Sequence, residues 1–185
     1  MKSEKKKMIN GEKYFPDKDE TLISDRAAAK ALCSKYNSLT SSSRAERIAI
    51  LQKLFAKCPD NAIIEPNFFC DYGYNISAGQ NFYINHNCVM LDCAPITFGD
   101  RVFIGPNCGF YTAEHPINAE ERASGAEYAR PITIGSDVWI GGNVVVLAGV
   151  SIGDNVVIGA GSVVTKDIPS NVVALGNPCK VVRNI

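Results

Sequence analysis

A six-residue repeat dominates the C-terminal half of the sequence. Between residues 134 and 168 a bulky aliphatic anchor returns at every sixth position: Ile134, Ile140, Val146, Ile152, Ile158 and Val164. The fourth residue after each anchor is β-branched or small, and glycine follows four anchors, as Gly135, Gly141, Gly153 and Gly159. A period of six fits neither an amphipathic helix nor an alternating strand. It is typical of a parallel β-helix, in which each hexapeptide forms one short strand and three close one triangular coil.

This pattern also predicts how the coils are held together. The anchors should point inward, so that stacked coils share one continuous core, and the glycines should permit the corners. Upstream the rhythm is less regular: Tyr72, Ala78, Ile84 and Met90 keep one phase, which slips by two residues near Ala94-Pro95 and resumes at Phe98. A slip predicts an irregular corner, and irregular corners often carry function.

From residue 112 to residue 131 the repeat stops, and we call this segment the insert. An excursion of this length inside a regular solenoid is either functional or disordered, and its charge and its single histidine favour function. Before the repeats, residues 1–60 are expected to form a small cap with helices at 19–37 and 44–57, the second capped by one of residues 40–43. Residues 61–185 should then form the mainly β domain, ending in a tail at 179–185.

Composition excludes some partners and indicates a compartment. Lysine plus arginine and aspartate plus glutamate number 19 each, so no net charge attracts nucleic acid or an anionic membrane. No apolar segment is long enough to span a bilayer, and the basic start lacks the apolar run of a signal peptide. The seven cysteines contain no C-x-x-C pair. They indicate reduced thiols in a cytoplasmic protein, without a metal site.

Motifs along nearly the whole chain resemble the maltose/galactoside O-acetyltransferase group of the hexapeptide-repeat acyltransferases. The matching segments are Met-x-x-Gly-x-x-Tyr-x-x-Asp at 8–17, Asp-Tyr-Gly-x-Asn-Ile at 71–76, Asn-Phe-Tyr-x-Asn at 81–85, Leu-Asp at 91–92, Glu-His-Pro at 114–116, Asp-Val-Trp-Ile-Gly-Gly at 137–142 and Gly-Asn-Pro-x-Lys-Val-Val-Arg at 176–183. The resemblance implies a left-handed parallel β-helix that assembles as a homotrimer with active sites between subunits. It also implies acetyl transfer from acetyl-CoA to a small-molecule sugar.

His115, in the insert, is the predicted catalytic base. A sugar hydroxyl is a poor nucleophile near neutral pH, and an imidazole is suited to taking its proton. In the family the transfer is direct, without an acyl-enzyme. By resemblance Glu127 would orient the His115 ring, although a solvated loop glutamate is an almost equal reading. His86, the only other histidine, falls at an outward-facing position and is expected on the surface.

The resemblance also assigns binding residues for both substrates. The acceptor set is Asp17, Asp71, Asn85, Asp92 and Cys93, and Asn85 is also expected close to the thioester. Cys93 stands where relatives often have aspartate. Each aspartate could instead be a turn residue in a corner of the coil. The acetyl-CoA set is Asn85, Trp139, Gly142, Ala160, Thr165, Lys166, Lys180 and Arg183. Gly142 replaces a serine that is common in relatives, and Lys180 replaces a common arginine. The basic side chains of the tail could instead be ordinary solvated surface residues that bind no ligand. Trp139 should face outward, at a trimer interface or against the pantetheine arm.

Three other functions are compatible with parts of the sequence. A zinc carbonic anhydrase of the same fold needs three histidines, and the chain has two. A non-catalytic scaffold would not need His115 together with Asp17, Asp71 and Asn85. An acyltransferase acting on an antibiotic, on serine or on a nucleotide sugar is the nearer alternative, and the N-terminal cap with Asp17 favours the sugar branch.

Overall fold

The six-residue repeat forms a parallel β-helix in the computed structural model, which describes residues 2–40 and 42–185. Its short strands stack on three flat faces. Face A contains Ile63–Ile64, Tyr83–Ile84, Phe103–Ile104, Trp139–Ile140, Val156–Ile158 and Val172–Leu175, and is extended by the antiparallel strand Lys180–Asn184. Face B contains Phe68–Cys70, Cys88–Leu91, Gly109–Tyr111, Val145–Leu147 and Val163–Val164. Face C contains Ile76–Ser77, Ile96–Phe98, Ile132–Ile134 and Ser151–Ile152.

The predicted anchors form the core. Each of the six aliphatic anchors between 134 and 164 is at most 2% exposed, and the fifth-place residues fill the space between them. Neighbouring strand residues alternate outward, so that Trp139 is 59% exposed beside the buried Ile140. Continuous burial of stacked aliphatic side chains supplies the main free energy that stabilises such a solenoid.

The glycines after the anchors have a different role from the predicted one. Positive φ angles in the corners belong mostly to asparagines and other polar residues, such as Asn107 and Asn143, and not to Gly135, Gly141, Gly153 or Gly159. These four glycines lie where consecutive coils approach most closely. A Cβ atom on Gly141 would lie 2.6 Å from the backbone nitrogen of Ala160. Glycine is therefore required here by the stacking of coils, while asparagine tolerates the left-handed backbone of the corner.

All irregularity in coil length is confined to the edge between faces B and C, which we call the B/C edge. The number of sequence positions between equivalent core residues of face B and face C differs from coil to coil. It is eight from Met90 to Phe98, 24 from Phe110 to Ile134 and six from Val146 to Ile152. The phase slip near Ala94 is thus a corner enlarged by two residues. Tyr72 and Ala94, which were expected inside the coil, instead lie outside it in a second apolar cluster with Met8, Tyr14 and Leu22.

The N-terminal cap contains one helix more than the sequence predicted. Its helices are Glu4–Ile9 (α1), Glu20–Ser38 (α2) and Arg44–Leu54 (α3), with a 3-10 turn at Pro16–Lys18. The second predicted helix ends three residues early, because Phe55 is extended and the backbone N–H of Ala56 bonds to the carbonyl of Ile76 in the first coil.

The start of α3 only partly matches the predicted cap. Ser43 precedes the helix but makes no side-chain capping bond, and Ser41 lies outside the described residues. We retain the proposed division near residue 60, between α3 and the first strand at Ile63–Ile64. Among the described residues, no helix combines the length and the apolar character needed to cross a membrane.

Candidate active site

The insert is an ordered part of the B/C edge. Its two ends pair as antiparallel strands, Ala113–Glu114 and Tyr128–Ala129, and a short helix, Ala119–Ala123 (α4), lies between them. Arg130 makes two hydrogen bonds of 2.6 and 2.7 Å to the carboxylate of Glu114. Arg122 donates to the carbonyls of Pro116 and Ile117. These hydrogen bonds brace the loop beside His115.

His115 follows the first strand of the insert and remains accessible. Its side chain is 56% exposed. Its Nδ1 lies 3.3 Å from the carbonyl oxygen of Ala126, and its Nε2 lies 4.0 Å from Oε1 of Glu127. Because a carbonyl oxygen only accepts, the Ala126 contact places the proton of the neutral ring on Nδ1 and leaves the Nε2 lone pair free. A free Nε2 is what a general base requires.

Glu127 is fixed by the N-terminal segment. The hydroxyl of Tyr14 donates to Glu127 Oε2 at 2.7 Å. The two residues also exchange backbone hydrogen bonds of 3.0 and 2.9 Å. Tyr14 is fully buried, and this burial raises the pKa of its hydroxyl, which stays a donor. The ring contact that sets the tautomer thus comes from Ala126, and the orientation of His115 by Glu127 stays a prediction.

Asp71 and Cys93 lie together in the two enlarged corners above the insert. The Cys93 thiol donates to Asp71 Oδ2 at 3.7 Å. Burial raises the pKa of both groups, so the thiol stays protonated. Arg26 adds positive charge nearby, since it donates to the hydroxyl of Tyr72 at 3.3 Å and to Asp17 at 2.6 Å. Asp17 itself is 85% exposed and free to meet a ligand with its second oxygen.

Asp92 occupies the same corner but faces inward. It is fully buried and accepts backbone N–H bonds from Asp71, Tyr72 and Asn75 at 3.0, 2.8 and 3.4 Å. Its own carbonyl accepts from the Asn75 side chain at 2.7 Å. Both carboxylate oxygens therefore hold the corner that carries Asp71. The geometry favours this positioning role over direct contact with an acceptor.

The predicted acetyl-CoA residues are spread over two edges and the tail. Asn85 lies on the edge between faces A and B, at the corner position that Gly141 and Gly159 occupy in later coils, and Gly142 and Ala160 lie one residue further along that corner. Its side chain accepts from the backbone of His86, which is exposed as expected. Thr165 and Lys166 lie below the insert on the B/C edge, while Lys180 and Arg183 lie on the last strand. One chain does not bring Asn85 and His115 together.

Comparison with known proteins agrees with this geometry. Residues 7–59 match the maltose acetyltransferase hexapeptide capping motif, and residues 131–166 match six repeats of the bacterial transferase hexapeptide. The galactoside O-acetyltransferase of Escherichia coli is 46% identical over 96% of this chain and 87% of its own length. The chain belongs to the hexapeptide-repeat acetyltransferases.

Solved structures extend the match to the whole fold of this acetyltransferase. A maltose O-acetyltransferase from Clostridium difficile superposes with a TM-score of 0.98 and 48% identity, covering 100% of this chain and 98% of its own. A hexapeptide-repeat acetyltransferase from Vibrio cholerae, solved with acetyl-CoA, gives a TM-score of 0.91 and 39% identity over 99% of this chain and 98% of its own.

Several residues that contact the candidate site were not predicted to do so. Arg26 and Arg130 lie in no motif, and Tyr14, Tyr72 and Glu114 appeared only as members of motifs, with no role of their own. The one usable signal was the B/C edge itself. Asp71, Asp92 and His115 all fall where the six-residue phase is broken.

The buried carboxyl of Asp92 should make the stability of the acetyltransferase depend on pH. Burial raises its pKa from the ordinary 3.8 to about 7. The folded state then holds the proton more tightly than the unfolded chain, so Asp92 disfavours folding increasingly as the pH rises from about 4 to about 7. In thermal unfolding, the Tm of Asp92→Asn relative to the parent should rise between pH 5 and pH 8. A difference that is constant over this range would contradict the assignment.

Proposed function

We propose that this protein transfers an acetyl group from acetyl-CoA directly to a hydroxyl of a sugar of the maltose, glucoside or galactoside type, with His115 as the general base. The observation that carries the proposal is the exposed His115 ring, whose Nδ1 faces the Ala126 carbonyl and whose Nε2 is free. Relatives named as maltose and galactoside O-acetyltransferases support the acceptor class, and a relative solved with acetyl-CoA supports the donor.

The reaction would proceed in two proton movements. Nε2 of His115 takes the hydroxyl proton as the sugar oxygen attacks the thioester carbonyl, and a tetrahedral intermediate forms. The intermediate then breaks its carbon–sulfur bond, and the imidazolium returns the proton to the departing thiolate. Acetyl ester and coenzyme A thiol are the products, and the histidine ends neutral. A positioned base of this kind contributes about 10²- to 10⁴-fold in rate.

The acceptor would bind at the B/C edge beside His115. Asp17, Asp71 and Cys93 would line this space, where Asp17 and Asp71 would offer carboxylate oxygens to sugar hydroxyls. Asp92 would act by holding Asp71 in place. Cys93 offers a protonated thiol where many relatives offer a carboxylate, so the hydroxyl pattern accepted here should differ from theirs.

The residues proposed for acetyl-CoA suit an extended, anionic molecule. Gly142 has no side chain and Ala160 only a methyl group, so that a pantetheine arm could approach the backbone on their edge. Thr165 and Lys166 lie below the insert, and Lys180 and Arg183 are exposed on the tail strand, where cations can meet phosphates. Trp139 would pack against the arm or a neighbouring subunit.

We also propose the homotrimer, with the site shared between subunits. Asn85 and His115 lie on different edges of one chain, so both can serve one site only if a second subunit supplies one of them. Face A offers a surface for assembly, because outward side chains in register form an apolar column, with Ile63 40%, Phe103 49% and Trp139 59% exposed. The seven free cysteines support a cytoplasmic location.

Thiol release from acetyl-CoA tests the proposed function. The panel should contain glucosides, galactosides, maltose, serine and chloramphenicol. Release with sugars alone is the expected result. Release with serine or chloramphenicol instead would move the protein to another branch of the family, and absence of acetyl-CoA binding would overturn the activity altogether.

The tail assignment predicts a selective effect of Arg183→Ala. The loss of one cation beside the phosphates should raise the KM for acetyl-CoA several-fold and leave the KM for the sugar nearly unchanged. The same kinetics with Lys35→Ala, which removes an exposed lysine of α2, provide the control. If the sugar KM moved instead, Arg183 would not belong to the donor site.

A further inference from the structure

Two hydrogen-bond acceptors of fixed position face the same space at the B/C edge. One is Nε2 of His115, whose lone pair is free because Nδ1 carries the proton toward Ala126. The other is Oε1 of Glu127, 4.0 Å away. In the neutral state of the histidine neither atom can donate to the other. The pair therefore needs donors from outside the protein.

Glu127 is held in this position independently of His115. Tyr14 occupies Oε2 by its hydroxyl at 2.7 Å and clamps the Glu127 backbone by two further hydrogen bonds. The Glu127 side chain is only 20% exposed. Within the part of the chain that the structure describes, Oε1 makes no hydrogen bond to the protein. This oxygen is therefore free to accept a hydrogen bond from a ligand that enters the space beside His115.

One hydroxyl cannot satisfy both acceptors. A hydroxyl has a single proton, and the hydroxyl that His115 deprotonates directs that proton to Nε2. A second donor is needed for Oε1 within a few ångströms of the first. A sugar carries such a donor as another hydroxyl of the same molecule, on a neighbouring or nearby carbon.

We propose that Glu127 is a specificity-determining residue that accepts a hydrogen bond from a second hydroxyl of the acceptor, close to the hydroxyl that is acetylated. This inference rests on the proposed function and narrows it: the substrate must present paired hydroxyls, and a simple alcohol or a sugar lacking the second hydroxyl is a poor acceptor. Tyr14 supports the selection by fixing Glu127.

The test compares a good sugar acceptor with its singly deoxygenated analogues. For one deoxy position, kcat/KM of the parent enzyme should fall by about 10- to 100-fold, as expected for the loss of a hydrogen bond to a charged group. In Glu127→Ala the same sugar and the same analogue should react at nearly equal rates. The ratio is the readout because the Glu127 charge also faces the imidazolium formed during reaction, which lowers the rate of the variant with every acceptor.

Two further variants complete the experiment. Glu120→Ala removes an exposed carboxylate of α4 in the same insert and should keep the selectivity of the parent enzyme. Glu127→Gln keeps the size of the side chain without its charge, so it should fold even if Glu127→Ala fails to fold. It should reduce the ratio of kcat/KM between the sugar and its deoxy analogue to a few-fold.

The outcomes separate this inference from the proposed function. If selectivity among the deoxy analogues is the same in the parent enzyme, Glu127→Ala and Glu127→Gln, then Oε1 faces water and the inference is overturned. If the parent enzyme acetylates no sugar, or if His115→Ala retains its turnover, the proposed function fails first.

Discussion

His115→Ala should lower kcat by about 10²- to 10⁴-fold while the protein keeps its fold and its affinity for acetyl-CoA. The ring is more than half exposed and contacts the carbonyl of Ala126 and the carboxylate of Glu127, so its removal leaves no cavity in the core. What is lost is the acceptor for the hydroxyl proton. Steady-state kinetics, donor binding by calorimetry and thermal unfolding measure the three quantities separately.

The control for this experiment is His86→Ala. His86 is the only other histidine and is exposed on the edge between faces A and B, where its ring contacts the carbonyl of Pro66. Its removal should change kcat less than threefold. Equal effects of the two substitutions would show that His115 has no special part in the reaction.

Gly141→Ala should destabilise the fold by about 2–3 kcal/mol, the upper part of the range of about 1–3 kcal/mol for overpacking a tightly packed site. The new methyl group would lie 2.6 Å from the backbone nitrogen of Ala160 and 3.1 Å from the carbonyl oxygen of Ile158. These are backbone atoms of the next coil, which cannot move without breaking the register of face A. The free energy of unfolding, measured with urea, gives the comparison.

The neighbouring Gly142→Ala is its matched control. A Cβ atom there would first meet the side chain of Pro106 at 3.2 Å, on an edge rather than between ladders. Gly142→Ala should lower the free energy of unfolding clearly less than Gly141→Ala does. If both variants unfolded at the same urea concentration, close coil stacking would not be the reason for glycine at position 141.

The repeat made the coils predictable because one anchor in six must be buried, and its period is visible in the sequence. The short helix α1 was missed because six residues show no helical period, and the assembly of Tyr14 with Glu127 joins residues 113 positions apart. The inward orientation of Asp92 was equally hidden. Corner aspartates that bind the backbone and those that bind a ligand have the same sequence signature.

The predicted function of the glycines was wrong for a related reason. In a sequence, a glycine that is needed for a positive φ angle looks the same as one that is needed for a close contact. For Gly135 and Gly141, the φ angle and the distance to the next coil identify the close contact as the reason. His115, by contrast, was singled out because it lies where the repeat is interrupted, and its role as the base stays a prediction. Breaks in a strict period are informative where single residue types are not.

Because the surplus residues are confined to the B/C edge, the length of that edge can vary without changing the three faces that form the core. Between 4 and 24 residues bridge faces B and C in different coils, as in Val164 to Ile168 and Phe110 to Ile134, while the ladders on all three faces keep their register. A solenoid of this kind can tolerate loops of different length and sequence on one edge while the three sheets stay unchanged. If the acceptor binds at this edge as proposed, new acceptor preferences can arise by grafting loops there, without redesign of the core.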